Sequence, residues 1–446
     1  SSDGFKLGGS SFAQALNRIG EEAPDVKDAA AFVRTFNTIQ EAIKAGYITA
    51  GHDISAGGMV TTLLEMCFSS NQVGASIDLS DLGELDVMKM LFAENAGLII
   101  QTEQVEALEE LLDAGEVSFA KIGQVVEGNT LELKNGEWSS AMDIAQYRDI
   151  WYKTSYLLDQ KQSGVVKATE RFENYKKQDL DFKFPAHFTG KKPIHSGKKP
   201  VAAVLREKGS NSEREMANAL YLAGFDVKDV HMTDLISGRE DLKDVQFLAA
   251  VGGFSNSDVL GSAKGWAGSF LYNPKAKAAL EQFYARPDTL SVGICNGCQL
   301  FVELNLICPE HQEIPRMLHN DSGKHESAFT SVQVQENDSV MLASLAGSTL
   351  GVWISHGEGK FHLPMEENQY HIVAKYGYAA YPSNPNGSDY NTAMMASADG
   401  RHLVMMPHIE RSTFQWNWAH YPDGRADEVS PWLEAFVNAK NWLQAQ

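Results

Sequence analysis

The stretch TLSVGICNGCQLFVEL, residues 289–304, restricts the possible folds of this chain more than any other. A β-branched, apolar run stops abruptly at Cys295, and a helical pattern takes over within about four positions, by Gln299. Gly293 and Gly297 stand two residues before and two after the cysteine, where side chains would collide if the backbone made a tight, strained turn. A strand, a sharp turn and a helix in that order make a nucleophile elbow with cysteine in the usual serine position. The helix would aim its N-terminus at the sulfur, and its partial positive charge and free N–H groups favour thiolate over thiol. Other readings of the same residues stay open. Cys295-Asn296-Gly297-Cys298 is also a CxxC, and buried cysteines are commonly inert packing residues. A redox CxxC would follow the first strand of a thioredoxin-like unit, and zinc would need a second ligand pair, which the sequence lacks.

A cysteine nucleophile needs a base. RHLVMMPHIER ends an apolar strand in Pro407, His408, Ile409 and Glu410. In an extended stretch His408 and Glu410 project to the same side, so the carboxylate can orient the imidazole while the other ring nitrogen faces sulfur. A surface His and Glu at a strand end is the plain alternative. LAAVGGFSNSD closes a strand with Gly252 and Gly253, whose amides could approach a developing oxyanion, with the amide of Asn296 as second donor. Gly-Gly alone is equally an ordinary turn. Ile354-Ser355-His356-Gly357-Glu358-Gly359 is a similar strand end, able to present backbone groups to a substrate, and by itself equally a turn.

The chain has 446 residues, 43% of them hydrophobic, which suggests two or more domains, each with its own core. Composition shifts most sharply between about residues 157 and 197, a stretch rich in Lys, Gln and Gly that reads as a linker with a helix over 168–177. The expected division is a first domain over 1–156, the linker over 157–197, and a second domain over 198–446. Before the linker, helical spacing over 25–45 and 59–68 and a buried strand in AGLIIQ make a mixed α and β region. After it, PVAAVL, NSEREMANALYLAG, DVKDVHM, VQFLAAVGG and TLSVGIC alternate strand and helix. That rhythm predicts a parallel-rich sheet covered by helices, with functional groups at the carboxyl ends of its strands.

Lys and Arg number 38 against 58 Asp and Glu, and the formal charge of −20 argues against nucleic acid or an anionic membrane as partner. Four cysteines, three of them within residues 295–308, make no disulfide framework and suit a reducing cytoplasm. The start, SSDGFKLGGSS, has neither a basic nor an apolar signal region, and no apolar run approaches the roughly 18 residues of a membrane span.

GICNGCQ, the GGF turn, ISHGEG and PHIER, in this order, resemble the class I, or triad, glutamine amidotransferases. RPDTLSVGICNGCQ, PRMLHNDSGKHESAF, ISHGEGKF, YPSNPNGS and MMPHIER are similar to the glutaminase domain of the large formylglycinamide ribonucleotide amidotransferase family of purine biosynthesis, over about 198–446. The resemblance implies a flavodoxin-like glutaminase domain and triad roles for Cys295, His408 and Glu410. It also makes Gln299 and the Ser355-His356-Gly357 turn candidates to hold glutamine. Asn256-Ser257 stands where the family often has Tyr-Gly, and Ile409 where it has Pro, which bears on the loop over the oxyanion and on how His408 is presented.

In the first half, GHDISAGGMVTTLLEMCF, preceded by LGGSSFAQALNRIG, resembles the C-terminal part of that family's α+β aminoimidazole-ribonucleotide-synthetase-like (AIR-synthetase-like) region. Asp53 offers a hard oxygen for Mg²⁺, and Ser55 with the Ala56-Gly57-Gly58 turn a hydroxyl and free amides before a helix, suited to phosphate. An N-cap with a glycine turn explains the same residues. The resemblance makes Asp53 a magnesium ligand and Ser55 a nucleotide contact. It implies a ligase that uses ATP and glutamine to convert formylglycinamide ribonucleotide to the amidine. This chain would supply the ammonia-producing half and part of the synthetase, and a missing N-terminal part of the same polypeptide would supply the rest. Against it stand a stand-alone triad hydrolase of γ-glutamyl substrates and a non-catalytic interaction module.

Overall fold

The computed structural model describes residues 4–70, 72–177 and 180–446. Residues 1–3 of the SSDG start, and 178–179 of the stretch expected to be a linker, lie outside the described residues. The chain divides into two compact units, Ser1–Ser155 and Tyr156–Gln446.

The first unit contains α1 (Ser11–Ala15), α2 (Ala29–Lys44), β1 (Ala50–Asp53), α3 (Gly58–Cys67), β2 (Val73–Asp78), α4 (Val87–Phe92), β3 (Leu98–Gln101), α5 (Val105–Ala114), β4 (Gly123–Glu127), β5 (Thr130–Asn135) and β6 (Trp138–Asp143). Helix α6 (Ile144–Gln162) closes it and carries the chain into the second unit. β1 and β3 form an antiparallel ribbon, and a four-stranded sheet runs β4-β2-β5-β6 with β2 and β5 parallel. Helix α3 buries Met59, Val60, Leu63 and Leu64 against Ala75 and Ile77 of β2 and Leu131 and Leu133 of β5. The helical spacing over 25–45 becomes α2, which begins at Ala29 because the Asp28 side chain accepts from the Ala31 N–H and caps the first turn.

The second unit contains α7 (Gly164–Asn174), β7 (Val201–Arg206), α8 (Glu213–Ala223), β8 (Asp226–His231), α9 (Met232–Ser237), β9 (Phe247–Ala250), α10 (Lys264–Leu271), α11 (Pro274–Ala285), β10 (Leu290–Ile294), α12 (Asn296–Glu303), β11 (Arg316–Leu318), β12 (Glu326–Val334), β13 (Thr349–His356), β14 (Lys360–His362), β15 (His371–Tyr376), β16 (Thr392–Ala396), β17 (His402–Met405) and α13 (Trp432–Gln444). Its nine-stranded sheet runs β13-β12-β15-β16-β17-β10-β9-β7-β8. β8, β7, β9, β10 and β17 are parallel in the flavodoxin-like order 2-1-3-4-5, as the alternation predicts. β16, β15, β12 and β13 then extend the sheet antiparallel, so that it is mixed. Every residue of β10 is buried, as expected of a strand covered on both faces, and its last residue delivers the chain to Cys295.

The described residues of 157–197 are more ordered than their composition suggests. α7 starts at Gly164, earlier than expected, and its Arg171 reaches Asp159 at 3.2 Å and Glu326 at 3.3 Å, while Asn174 Nδ2 donates to the Tyr381 carbonyl at 2.8 Å. Phe182 and Phe184 pack on the core of the second unit, and Lys183 exchanges backbone hydrogen bonds with Thr349. Gln160, Lys161, Gln162 and Lys167 lie in helices α6 and α7.

Candidate active site

Cys295 caps α12 with φ 52° and ψ −105°, a left-handed conformation that a side chain adopts only under constraint. Helix α12 therefore starts at Asn296, three residues before its apolar pattern shows. The constraint is visible around it. The Cys295 N–H donates to the Met405 carbonyl at 2.8 Å. A β-carbon at Gly293 would stand 2.5 Å from the Gly297 carbonyl oxygen, and one at Gly297 would run into the Ala250 carbonyl of β9. Both glycines are thus required by close approach of backbone to backbone, which is why the elbow can be read from sequence.

His408 follows β17 and is pinned by its N–H, which donates to the Trp353 carbonyl of β13 at 2.8 Å. Its Nδ1 lies 2.6 Å from Glu410 Oε1, and the other edge of its ring shares the space over Gly252 with the Cys295 side chain. The structure thus brings Cys295, His408 and Glu410 together, at 6%, 2% and 2% exposure. Burial on its own would lower the His408 pKa, but the Glu410 carboxylate and the Cys295 sulfur outweigh it and raise the imidazole to about 10. Burial likewise opposes the Glu410 charge, yet the facing imidazole prevails and its pKa is lowered. Such a pair holds the ring in one orientation and stabilises its cation, the requirement for a base that accepts a thiol proton.

Gly252 lies directly behind this pair, since a β-carbon there would sit 2.7 Å from His408 Cε1 and 3.4 Å from Cys295 Cβ. Gly253 has φ 113°, a conformation that favours glycine. The following loop carries the Asn256-Ser257 departure, and both residues adopt left-handed backbone, φ 52° and 59°. It is tied to the elbow through Asn296, whose Oδ1 accepts from the Ser255 N–H at 3.0 Å and whose Nδ2 reaches Asp258 and Gln299. Asn296, expected to contribute its amide, therefore also uses its side chain as a brace.

Gln299 donates through Nε2 to the Glu358 carbonyl at 2.7 Å, joining α12 to the turn after β13. In that turn the Ser355 carbonyl lies 3.6 Å from Cys295 Sγ, and the Ser355 hydroxyl meets His325 Nε2 at 3.0 Å. His356 is buried with Nδ1 3.2 Å from Asn320 Oδ1, and burial first, then the neighbouring His408 and His325, lower its pKa to about 3, so it stays neutral. Its Nε2 is buried without a hydrogen-bond partner among the described residues. Asn320 organises the turn: its Nδ2 donates to the carbonyls of His356 and Lys324, and its Oδ1 accepts from the Gly359 N–H at 3.0 Å. The Glu358 carboxylate accepts from the Ser262 amide and hydroxyl, with Asp258 nearby. Burial, with the Glu358 charge adding to it, raises the Asp258 carboxyl. Asn320 and Glu358 were both present in the motifs LHNDSG and ISHGEG, yet nothing in their spacing marks a role. A cavity of about 580 Å³ opens beside Ser355 and His408, bordered by Trp353, Phe414 and Trp416.

In the first unit, Asp53 ends β1 with an exposed side chain, and Ser55 is exposed in the turn that follows. His52 lies beside Asp53, Nδ1 to Oδ1 at 3.6 Å, and reaches Glu65 with Nε2 at 3.1 Å. Gly57 and Gly58 have positive φ and start α3, as a cradle would. The Gly57 amide is nevertheless taken by Glu94, whose Oε1 accepts from Gly57 at 2.8 Å and from Ser11 at 2.7 Å. Among the described residues no group of three or more His, Cys, Asp or Glu could hold a metal ion. Asp53 and its surroundings do not by themselves fit magnesium. Likewise, among the described residues no helix is long and apolar enough to cross a membrane.

Residues 199–443 match the family model of the CobB/CobQ-like glutamine amidotransferase domain, and residues 2–134 that of the AIR synthase related protein, C-terminal domain. Among curated proteins, a probable phosphoribosylformylglycinamidine synthase of Arabidopsis thaliana, chloroplastic/mitochondrial, is 39% identical over 99% of this chain and 33% of its own length. The phosphoribosylformylglycinamidine synthase of Homo sapiens is 38% identical over 98% of this chain and 35% of its own, and a probable one of Caenorhabditis elegans 35% identical over 99% and 37%. The chain spans about a third of the length of these relatives.

Proposed function

Since residues 199–443 make this chain a member of the CobB/CobQ-like glutamine amidotransferase family, we propose that Cys295 is its nucleophile, His408 its base and Glu410 the carboxylate that orients the base. The observation that carries this reading is the buried His408 imidazole, bonded at Nδ1 to Glu410 Oε1 and packed with Cys295 over Gly252. The sulfur adds to the side-chain amide carbon of glutamine, and the His408 imidazolium, which has taken the thiol proton beforehand, gives it to the departing nitrogen. Ammonia leaves, and water then cleaves the γ-glutamyl thioester to glutamate. The amides of Gly253 and Asn296 face the oxygen that becomes negative; the Gly252 amide, also expected to do so, donates to the Ser212 hydroxyl at 3.4 Å instead. Gln299 and the Ser355-His356-Gly357 turn hold the rest of the substrate.

The ammonia would serve the reaction named by the relatives, the ATP-dependent conversion of formylglycinamide ribonucleotide to its amidine, within a longer polypeptide. Identity along nearly the whole of this chain supports that reading. The first unit, 1–156, would be part of the synthetase, 198–446 the glutaminase, and 157–197 the segment that joins them. Asp53 as magnesium ligand and Ser55 as nucleotide contact need further ligands from beyond these 446 residues. The four free cysteines suit a reducing compartment such as the cytoplasm.

The test is release of glutamate and ammonia from glutamine by this chain, with Cys295→Ala and His408→Ala inactive. Near-normal hydrolysis by His408→Ala would sink the assignment. With ATP and the ribonucleotide added, the chain alone is expected to make no amidine. Hydrolysis of γ-glutamyl peptides as fast as glutamine would favour a stand-alone hydrolase.

A further inference from the structure

The segment after β7, residues 207–212 (EKGSNS), has no part in the chemistry above, yet it is clamped onto the oxyanion glycines. An antiparallel bridge pairs Ser210 with Gly253. The Asn211 N–H donates to the Gly252 carbonyl at 2.8 Å, the Phe254 N–H to the Gly209 carbonyl at 2.9 Å, and the Asn256 N–H to the Lys208 carbonyl at 2.7 Å. A β-carbon on Gly253 would stand 2.6 Å from both Asn211 N and Ser210 Cα, so the two segments touch along their backbones. In a trans peptide the C=O and the N–H point opposite ways. Pinning the Gly252 carbonyl toward Asn211 therefore turns the Gly253 N–H away from the clamp, and none of the described residues accepts it.

Asn211 is itself held from the triad. Arg411, the residue after Glu410, donates from Nη2 to Asn211 Oδ1 at 2.6 Å. Its Nε lies 3.6 Å from Glu215 Oε1 on α8 and 3.9 Å from Glu410 Oε1. One planar guanidinium thus spans the triad carboxylate and the clamp, a geometry that a flexible ammonium would not fix. We propose that Arg411 and Asn211 are positioning residues that lock the Gly252–Gly253 peptide with its N–H toward the sulfur, ready for the oxyanion. This rests on the glutaminase reading. When sulfur bonds to the amide carbon, the C=O electron pair moves onto oxygen. A donor already aimed there stabilises that charge without reorganising, whereas a peptide free to rotate does not.

Two reagents separate this role from general damage. Iodoacetamide alkylates Cys295 by displacement and forms no oxyanion, while a chloroketone analogue of glutamine places its carbonyl oxygen in the oxyanion position. For Asn211→Ala we expect the limiting rate of chloroketone inactivation and kcat for glutamine to fall about tenfold or more, with the chloroketone half-saturation and glutamine KM within about twofold. The iodoacetamide rate should not change. Asn211→Asp, which keeps an acceptor for Arg411, should restore most of the loss, and Asn211→Ala combined with Arg411→Gln should be no worse than the weaker single variant. Should Asn211→Ala not fold, Arg411→Gln takes its place with the same expectation. Unchanged chloroketone inactivation, or an equal loss with iodoacetamide, would overturn the proposal. Wild-type chain that the chloroketone fails to label at Cys295 would instead overturn the glutaminase reading.

Discussion

His408 Nδ1 and Glu410 Oε1 lie 2.6 Å apart with neither side chain open to solvent, so each charge is stable there because of the other. The imidazole, raised to about 10, should titrate far above an ordinary histidine when followed by NMR of ring-labelled protein. In Glu410→Gln the carboxylate is gone and only the Cys295 sulfur still works against burial, so the same ring should titrate well below about 10 and glutaminase activity should collapse. A ring that still titrates near 10 in the variant would show that Glu410 is not the cause.

The pair also sets a direction for stability against pH. A histidine whose folded pKa is raised stabilises fully below its unfolded value and loses that contribution as pH rises toward the folded one. Glu410, lowered on folding, contributes above the unfolded carboxylate range and loses it in acid. The advantage of wild type over Glu410→Gln should therefore be greatest near pH 6 and shrink steadily toward pH 10. Matched thermal scans across that range measure it, and a widening gap would contradict the ion pair.

Gly297 lies in α12, where alanine would ordinarily add about 1 kcal/mol through helix propensity. Here a β-carbon meets the Ala250 carbonyl, a backbone atom of β9 that cannot swing aside. Gly297→Ala is expected to reverse the usual sign and destabilise the second unit by about 1–3 kcal/mol in denaturant unfolding. A stabilised variant would mean that β9 and α12 are further apart than described.

These cases mark what could be read from the sequence. Cys295 with its two glycines was legible because its geometry is local and a tight turn needs glycine. His408 and Glu410 do meet, but not by the alternation expected of an extended stretch: β17 ends at Met405, and a 3-10 turn over Ile409–Arg411 brings the carboxylate to the ring. Four of the five parallel strands, β7 to β10, followed from the alternation of strand and helix patterns, which is likewise local, and β17 from its apolar run before PHIE. The four antiparallel strands did not, because pairing β12 with both β13 and β15 depends on contacts remote in sequence. Asn211, Asn320 and Glu94 were missed on the same ground, each acting on backbone groups more than 30 positions away.

Asn320 gives a further expectation. Its side chain serves the His356 and Lys324 carbonyls and the Gly359 amide, all near the turn assigned to glutamine. Asn320→Ala leaves buried groups unpaired at about 1–3 kcal/mol each, and the turn should relax. Because the triad is untouched, KM for glutamine should rise well above any change in iodoacetamide alkylation of Cys295. Unaltered KM would remove the turn from the substrate site.

Glu94 bears on the first unit. Its carboxylate accepts from the Gly57 amide at the start of α3 and from the Ser11 amide. Charge-assisted bonds at a helix N-terminus contribute about 1–2 kcal/mol, so Glu94→Gln should lower the unfolding midpoint of this unit. The same occupancy implies that the 446-residue chain has no vacant cradle at Gly57. Magnesium and ATP should give no thermal stabilisation of the chain alone, and Asp53→Ala should leave that result unchanged. Strong stabilisation by the nucleotide in wild type, lost in Asp53→Ala, would show instead that this unit completes the site without help, and Glu94 would then have to move aside when the phosphate enters.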